Sequence, residues 1–175
     1  GPVRLVSRFR RAGVEAKLPD MAPANLAVGL GGVGLTLNDL TITGGNVGFS
    51  GGAVYAYNAS LTFNHCTITG NSAEFSGGAV YAYKGSLTIN NSTITGNNAE
   101  LGGGIATYGT AVVITDSNIN DNTSDYSGGG VYIDGGTASI SNSVISGNEA
   151  DPDSAGGGLY VLNSTLTMDH VTIED

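Results

Sequence analysis

The sequence has few charges, almost no cysteine and no long apolar run, and each of these shortages excludes some classes of protein. Charged residues are 12% of the 175 residues, and tryptophan is missing. Cys66 is the single cysteine, so no disulfide can form within the chain. No run of about 20 apolar residues could cross a bilayer, and the sequence does not open with a signal peptide. The fold must therefore rest on packing rather than on disulfides or on a membrane.

Positive charge is also scarce outside the start of the chain. The net charge is −9, with six Lys and Arg against 15 Asp and Glu. Only Lys84 lies beyond residue 17 among the basic residues. An acidic or neutral surface repels phosphate backbones, so we expect no nucleic-acid binding by the main body of the protein.

Glycine, by contrast, is abundant, with 29 residues. It does not occur at every third position, which excludes collagen, and regularly placed Ile, Val and Leu argue against disorder. A search for self-similarity instead finds a period of about 26 residues, which indicates a stacked repeat architecture. The predicted rungs are 25–50, 51–76, 77–101, 102–127, 128–155 and an incomplete rung, 156–175.

Apolar residues recur in columns when the rungs are aligned, and polar residues alternate with them. Such alternation with period two predicts strands with one face inward. The three columns after the middle of each rung are Leu35, Leu61, Leu87, Val112, Ala138 and Leu166; Leu37, Phe63, Ile89, Ile114, Ile140 and Met168; and Ile42, Ile68, Ile94, Ile119, Ile145 and Ile173.

A second strand follows each glycine pair. Its inward columns are Val54, Val80, Ile105, Val131 and Leu159, and Ala56, Ala82, Thr107, Ile133 and Val161. No single rung can bury such short strands, so stability must come from stacking one rung on the next. The sequence therefore predicts an all-β fold, a single-stranded right-handed parallel β-helix of about six rungs of about 26 residues.

The corners of the rungs are patterned as well. Asn and Gly tolerate left-handed backbone, and stacked Asn side chains can hydrogen-bond along a column as a ladder. At the glycine pairs, such as Gly51-Gly52 and Gly77-Gly78, a side chain would obstruct the neighbouring rung. The asparagine corner comprises Asn71, Asn97, Asn122 and Asn148, preceded by Gly70, Gly96, Asp121 and Gly147.

Both ends of the chain differ from the repeats. Residues 1–24 do not repeat, and Leu5, Val6 and Phe9 with nearby arginines predict a short amphipathic helix that caps the first rung. Gly1-Pro2 resembles a protease-cleavage scar, which favours a piece of a larger protein. Asp175 stops in mid-rung, and an open rung there would offer a surface for end-to-end self-association.

Tyrosines at outward positions form the most conspicuous candidate binding site. Aromatic rings can stack on sugars or anchor a protein partner, but cross-strand aromatic pairs also stabilise sheets without a ligand. The two predicted columns are Tyr55, Tyr81, Tyr132 and Tyr160, and, beside them, Tyr57, Tyr83 and Tyr108.

The strongest acidic cluster is Glu149, Asp151 and Asp153, in the longest corner loop. Its oxygens could bind calcium, although a plain insertion explains the loop as well. We predict no other cofactor.

Other reactive residue types are scattered. His65 and His170 occupy equivalent positions four rungs apart, which excludes a shared metal or a catalytic dyad, and we interpret them as surface turn residues. Cys66 shares a column with serines, so it is a small space-filler rather than a nucleophile. Asp39, Asp116 and Asp169 lie near one corner but on separate rungs, which leaves no catalytic residue to name.

The repeats resemble right-handed parallel β-helix proteins, most closely the repeats of polymorphic outer-membrane proteins and autotransporter passengers. Those repeats carry a Gly-Gly-Ala-Ile element and a Phe-x-x-Asn element. Here the matching pieces are Gly51-Gly52-Ala53-Val54 and Gly77-Gly78-Ala79-Val80, and Ile replaces Phe in Ile68-x-x-Asn71, Ile94-x-x-Asn97, Ile119-x-x-Asn122 and Ile145-x-x-Asn148. The match covers about residues 25–175, and the resemblance implies an adhesin, a surface stalk or a polysaccharide enzyme.

Two functional hypotheses follow, with a third concerning the origin of the chain. The first is a non-enzymatic structural or interaction module, extracellular or at the cell surface, that contacts a glycan or a protein. The second is a polysaccharide-binding or polysaccharide-degrading enzyme of the pectate-lyase-like type, active or inactive, although the repeats hold one Lys and no Arg to neutralise a sugar acid. The third is a truncated or engineered repeat fragment.

Overall fold

The computed structural model describes residues 14–16 and 26–174, and describes side chains from residue 34 onward. Every regular element in these ranges is a strand. In chain order they are β1 Val14–Ala16, β2 Leu26–Asn38, β3 Thr41–Thr43, β4 Asn46–Val47, β5 Val54–Asn64, β6 Thr67–Thr69, β7 Ser72–Ala73, β8 Val80–Asn90, β9 Thr93–Thr95, β10 Asn98–Leu101, β11 Ile105–Thr115, β12 Asn118–Asn120, β13 Thr123–Ser127, β14 Val131–Ser146, β15 Glu149–Ala150 and β16 Leu159–Glu174.

The strands stack as successive turns of a solenoid, and all their pairings are parallel. The long strands pair in the order β1-β2-β5-β8-β11-β14-β16. The short second strands of the rungs pair as β3-β6-β9-β12 and join β14, which runs without a break through both positions. The third strands form a separate sheet in the order β4-β7-β10-β13-β15.

The register confirms the predicted columns. Leu35 pairs with Leu61, Leu61 with Leu87, and Leu87 with Val112. The same column continues through Ala138 to Leu166. The register therefore confirms the all-β parallel solenoid predicted from the repeats.

The core is the set of inward columns, and it runs along the whole axis of the solenoid. Ile68, Ile94 and Ile119 have no exposed surface, and the residues after the glycine pairs are equally buried up to Val131. In β16, which pairs only with β14 among the strands that the structure describes, Met168 and Ile173 are 47% and 46% exposed. Burial of an inward residue thus depends on a rung on each side of it.

Left-handed backbone occurs at the corners, as expected. The residues that adopt it are not the ladder asparagines. Gly70, Gly96 and Asp121 have φ of 63°, 64° and 54°. A second left-handed column, with φ between 48° and 55°, holds Asp39, His65, Asn91, Asp116, Asn142 and His170. Asn, Asp and Gly are the residue types that adopt this conformation most easily, and His follows them.

The glycine pairs act as predicted, with a different reason for each glycine. Gly51 has φ of 72°, a conformation that disfavours side chains. Gly52 has no room for one, because a Cβ atom there would lie 2.1 Å from the backbone oxygen of Gly78. Gly78 repeats the same contact with the oxygen of Gly103, also at 2.1 Å.

The predicted asparagine ladder is present and buried. Asn71 Nδ2 donates to Asn97 Oδ1 at 3.0 Å, and Asn97 Nδ2 donates to Asn122 Oδ1 at 2.9 Å. Asn122 Nδ2 continues the chain to Asn148 Oδ1 at 3.0 Å. Each acceptor oxygen also receives the backbone N–H of the preceding asparagine, for example Asn71 N to Asn97 Oδ1 at 2.9 Å. These amides can be buried because the asparagine of each rung accepts hydrogen bonds from the asparagine of the preceding rung.

A serine ladder, which the sequence analysis did not anticipate, runs along the corner that contains Cys66. The backbone N–H of Cys66 donates to Ser92 Oγ at 3.0 Å, and those of Ser92 and Ser117 donate to the next serine at 3.1 Å. Each serine hydroxyl donates in turn to a carbonyl of its own rung, as Ser92 Oγ does to Asn90 O at 2.8 Å. Cys66 occupies a position in this ladder, which supports its interpretation as a space-filler.

Only part of the N-terminal segment can be described. The predicted helix at Leu5, Val6 and Phe9 lies outside the described residues. Within the predicted cap of residues 1–24, Val14–Ala16 forms strand β1 and pairs in parallel with Leu35–Leu37. The expected end-to-end association stays a prediction.

We expect Ile94→Asp to prevent folding or to lower the melting temperature by about 10 °C or more, because it places a charge in a fully buried column. Thermal unfolding followed by circular dichroism measures this effect. Thr93→Asp is the control, since Thr93 precedes Ile94 on the outward face of β9. Equal melting of I94D and the wild type would show that the column is not interior.

Asn97→Ala should lower the free energy of unfolding by about 3 kcal/mol, because it removes the acceptor of Asn71 and a donor to Asn122 from a buried ladder. Urea unfolding provides the measurement. Asn98→Ala, at the exposed neighbour, should cost less than about 0.5 kcal/mol. If both variants lose the same stability, the ladder contributes nothing special.

Candidate functional site

Tyrosines line the outer face of the long strands, at the positions that the sequence predicted. Tyr55 pairs with Tyr81 and Tyr57 with Tyr83 in the register of β5 and β8. Tyr132 pairs with Tyr160 in the register of β14 and β16. The pairing is possible because outward residues of parallel in-register strands meet residues of the same column.

The rings of paired tyrosines stack face to face with an offset. The centroids of Tyr55 and Tyr81 are 5.0 Å apart with an interplanar angle of 15°. Tyr57 and Tyr83 are 5.2 Å apart at 4°, and Tyr132 and Tyr160 are 5.4 Å apart at 9°. Each rung therefore covers a ring face of its neighbour.

Tyr108 departs from its predicted column. Its backbone is in register with Tyr83, but its ring lies 5.5 Å from Tyr81 and 5.6 Å from Tyr132. The reason is Ala106, which pairs with Tyr81 and Tyr132 and leaves space above its small side chain. The Tyr108 hydroxyl also lies 3.4 Å from Ser76 Oγ. One continuous tyrosine ladder results, consisting of Tyr55, Tyr81, Tyr108, Tyr132 and Tyr160.

Two phenylalanines extend this surface around the glycine corner, and the sequence analysis missed their role. Phe49 and Phe75 are 62% and 44% exposed. Their centroids are 5.8 Å apart in an edge-to-face arrangement, and Phe49 lies 6.4 Å from Tyr55. The signal was available, since both fall in one column 26 residues apart. We call Phe49, Phe75, Tyr57, Tyr83 and the tyrosine ladder the aromatic surface.

The ring packing decides which contacts the aromatic surface can make. Within the stacked pairs, tyrosine faces are turned toward each other, so a ligand meets mainly ring edges and hydroxyls. Tyr132 is only 8% exposed, which removes most of its ring from contact. Lys84 Nζ lies 5.2 Å from the centroid of Tyr83 and covers that ring as a cation–π partner. Open faces for stacking are therefore greatest at the Phe49 end of the surface.

Burial also changes the acidity of the ladder. It raises the pKa of Tyr81 to about 12, with a further contribution from the neighbouring Tyr55. The pKa values of Tyr108 and Tyr132 are raised by burial as well. The hydroxyls of Tyr81, Tyr108 and Tyr132 thus stay protonated and can donate hydrogen bonds well above neutral pH.

The predicted calcium loop is an exposed turn. Asp151 Oδ1 accepts the backbone N–H of Asp153 at 2.9 Å, and Asp151 O accepts that of Ser154 at 2.8 Å. Glu149 and Asp151 line a shallow open pocket with Asn148 and Pro152, whereas Asp153 does not. Among the described residues, no group of three or more His, Cys, Asp or Glu is placed to hold a metal ion. Calcium binding at Glu149, Asp151 and Asp153 stays a prediction.

Among the residues that the structure describes, the scattered titratable side chains lie apart, except that His170 Nδ1 and Asp169 Oδ1 are 2.8 Å from each other at the exposed corner. His65 and His170 are exposed and share a left-handed corner position on different rungs, as predicted. Asp39 and Asp116 share that column three rungs apart, or about 14 Å, which is wider than the separation of carboxylate pairs that cleave glycosidic bonds. Cys66 is buried, and burial raises the pKa of its thiol, which disfavours the nucleophilic thiolate.

The stacked rungs, the inward apolar columns and the polar ladders define a parallel β-helix protein. Residues 26–175 match the family model described as the right handed beta helix region. The chain therefore belongs to the right-handed β-helix family. Searches of curated proteins and of solved structures found no match.

Nothing in the part of the chain that the structure describes forms a helix with the length and apolarity needed to cross a membrane.

Alkaline titration tests the burial of the ladder. Because folding raises the pKa of Tyr81 from 10.0 to about 12, its neutral form is favoured in the folded state. This contribution to stability is fully present below pH about 10 and is lost as the pH rises through about 12. We expect Tyr81→Phe to reduce the fall in the free energy of unfolding over this range, measured by urea unfolding at each pH. Tyr57→Phe, at an exposed ring, is the control; an equal effect of both variants would contradict the burial of Tyr81.

Proposed function

We propose that this protein is a non-enzymatic interaction module of the adhesin or stalk type, which presents its aromatic surface to glycans outside the cell. The observation that carries the proposal is the unbroken run of rings from Phe49 through the tyrosine ladder to Tyr160 along one face. The β-helix supports it because a rigid stack of rungs holds surface residues at a fixed spacing.

The composition of the surface favours a glycan over a nucleic acid. Phe49 and Phe75 offer partly open rings, and aromatic rings pack against the apolar faces of sugars. The tyrosine hydroxyls beside them can donate and accept hydrogen bonds with sugar hydroxyls. Lys84 is the only cation in the repeats, so the surface has little to attract phosphate.

The location outside the cell rests on two weaker supports. A single buried cysteine fits a protein made for an oxidising compartment, where free surface thiols are a liability. The Gly-Gly-Ala-Val and Ile-x-x-Asn elements also resemble the repeats of autotransporter passengers and polymorphic outer-membrane proteins, which are displayed at cell surfaces.

A glycan array tests the proposal. We expect the labelled wild-type protein to be retained by at least one class of glycan, and the double variant Phe49→Ser with Phe75→Ser to bind it at least tenfold more weakly, because it removes the open rings. Val113→Ser is the control, since Val113 is an apolar residue that is 41% exposed and pairs with Thr88 and Ser139, outside the aromatic surface. Retention of full binding by F49S/F75S, or no glycan binding by the wild type, would contradict the proposal.

A further inference from the structure

A second ordered surface lies on the short strands that follow the Asp39–His65 corner. Thr41, Thr67 and Thr93 pair in register, and so do Thr43, Thr69 and Thr95. All six are partly exposed and flank a buried isoleucine in the repeated unit Thr-Ile-Thr. We call these six residues the threonine lattice.

The core beneath the threonine lattice keeps the positions of its strands fixed. Ile42, Ile68 and Ile94, between the threonines, are buried in the core. Buried ladder hydrogen bonds lie at both ends of β6 and β9: Cys66 N and Ser92 N donate to serine hydroxyls before these strands, and Asn71 and Asn97 bond along the asparagine ladder after them. After β3, Gly45 N donates to Asn71 Oδ1 at 2.9 Å. Threonine is β-branched and therefore stiff at χ1. Its hydroxyl and methyl groups thus repeat with little freedom of position.

The two repeats of the lattice follow from strand geometry. Threonines on neighbouring rungs are about 4.8 Å apart, and threonines two residues apart on one strand are separated by about 6.6 Å, twice the rise per residue. The hydroxyls form a two-dimensional net rather than a single row.

The register keeps the net regular, because the pairing of β3 with β6 and of β6 with β9 runs without a shift.

The chemistry of the net favours a ligand that is itself a lattice. Each threonine supplies a hydroxyl that donates and accepts, beside an apolar methyl group, and none carries charge. A single sugar or peptide has no matching repeat in two directions. The water oxygens on a prism face of ice repeat in two directions. One of these repeats is slightly shorter than the spacing between rungs, and the other is slightly longer than the spacing of the threonines along a strand. We propose that the threonine lattice binds ice, a function separate from that of the aromatic surface.

The sequence bounds the lattice within these rungs. On the next rung the positions are Asn118 and Asn120, and Asn120 Nδ2 donates to Thr95 Oγ1 at 3.2 Å. Asn118 and Asn120 thus interrupt both threonine rows, and on β14 Val144 offers no hydroxyl in the first row while Ser146 offers one in the second. The proposal thus concerns three rungs, which predicts modest activity.

Ice affinity tests the proposal with matched variants of the full chain. We expect the wild type to shape ice crystals, to give measurable thermal hysteresis and, when fluorescently labelled, to coat a prism plane of a single ice crystal. Thr67→Lys with Thr93→Lys should abolish all three effects, because two charged side chains then project from one row. Thr62→Lys with Thr88→Lys should retain them: these threonines lie on the same two rungs and face outward from β5 and β8.

The remaining outcomes overturn the proposal. Absence of ice binding by the wild type, equal loss in both lysine variants, or binding to crystalline chitin or cellulose through the lattice without binding to ice would each do so. Circular dichroism checks the folding of every variant. If T67K/T93K does not fold, Thr67→Ser with Thr93→Ser, which removes only methyl groups, takes its place: loss of ice-plane binding supports the proposal and full retention overturns it.

Discussion

In-register stacking of like residues is the constraint on which the rest of this structure depends. A buried asparagine is costly unless each polar atom finds a partner. Here the partner of Asn97 is the same residue type on the adjacent rungs, Asn71 and Asn122, at 3.0 and 2.9 Å. The serines beside Cys66 solve the same problem with hydroxyls and backbone N–H groups. A buried polar side chain in the solenoid is therefore stable only where the adjacent rungs supply its hydrogen-bond partners.

The same constraint governs the outside of the solenoid, where it creates surfaces rather than a core. Tyrosines in register stack at about the separation of the rungs, and threonines in register make a net of hydroxyls. Departures from the pattern are informative. Ala106 interrupts the tyrosine column, and the Tyr108 ring crosses from the neighbouring column to fill the space. The continuity of the aromatic surface thus comes from packing and not from sequence identity alone.

The sequence was sufficient for the fold because the repeat period, the alternation within strands and the glycine pairs all indicate the same architecture. It was also sufficient for the asparagine ladder, since an inward amide that recurs on every rung lies within reach of the amide on the next rung. It was insufficient for the Tyr108 ring and the exposed Phe49–Phe75 pair, which depend on side-chain directions that periodicity does not determine. The buried hydroxyls of Thr107 and Ser124, for which no hydrogen-bond partner is found, show the same limit: pattern places a residue inward but does not supply its partner.

An insertion at a corner can change the length of such a chain without changing the register of its strands. The rung that contains Asp151 and Pro152 is 28 residues long between Tyr132 and Tyr160, against 26 between Tyr55 and Tyr81, yet both pairs stack. The extra residues leave the axis at a corner and return without shifting the strands. Gene duplication or unequal crossover can therefore add or delete whole turns, and a corner can acquire a new loop, while the remaining turns keep their alignment. Solenoids of this kind can evolve in units of one turn.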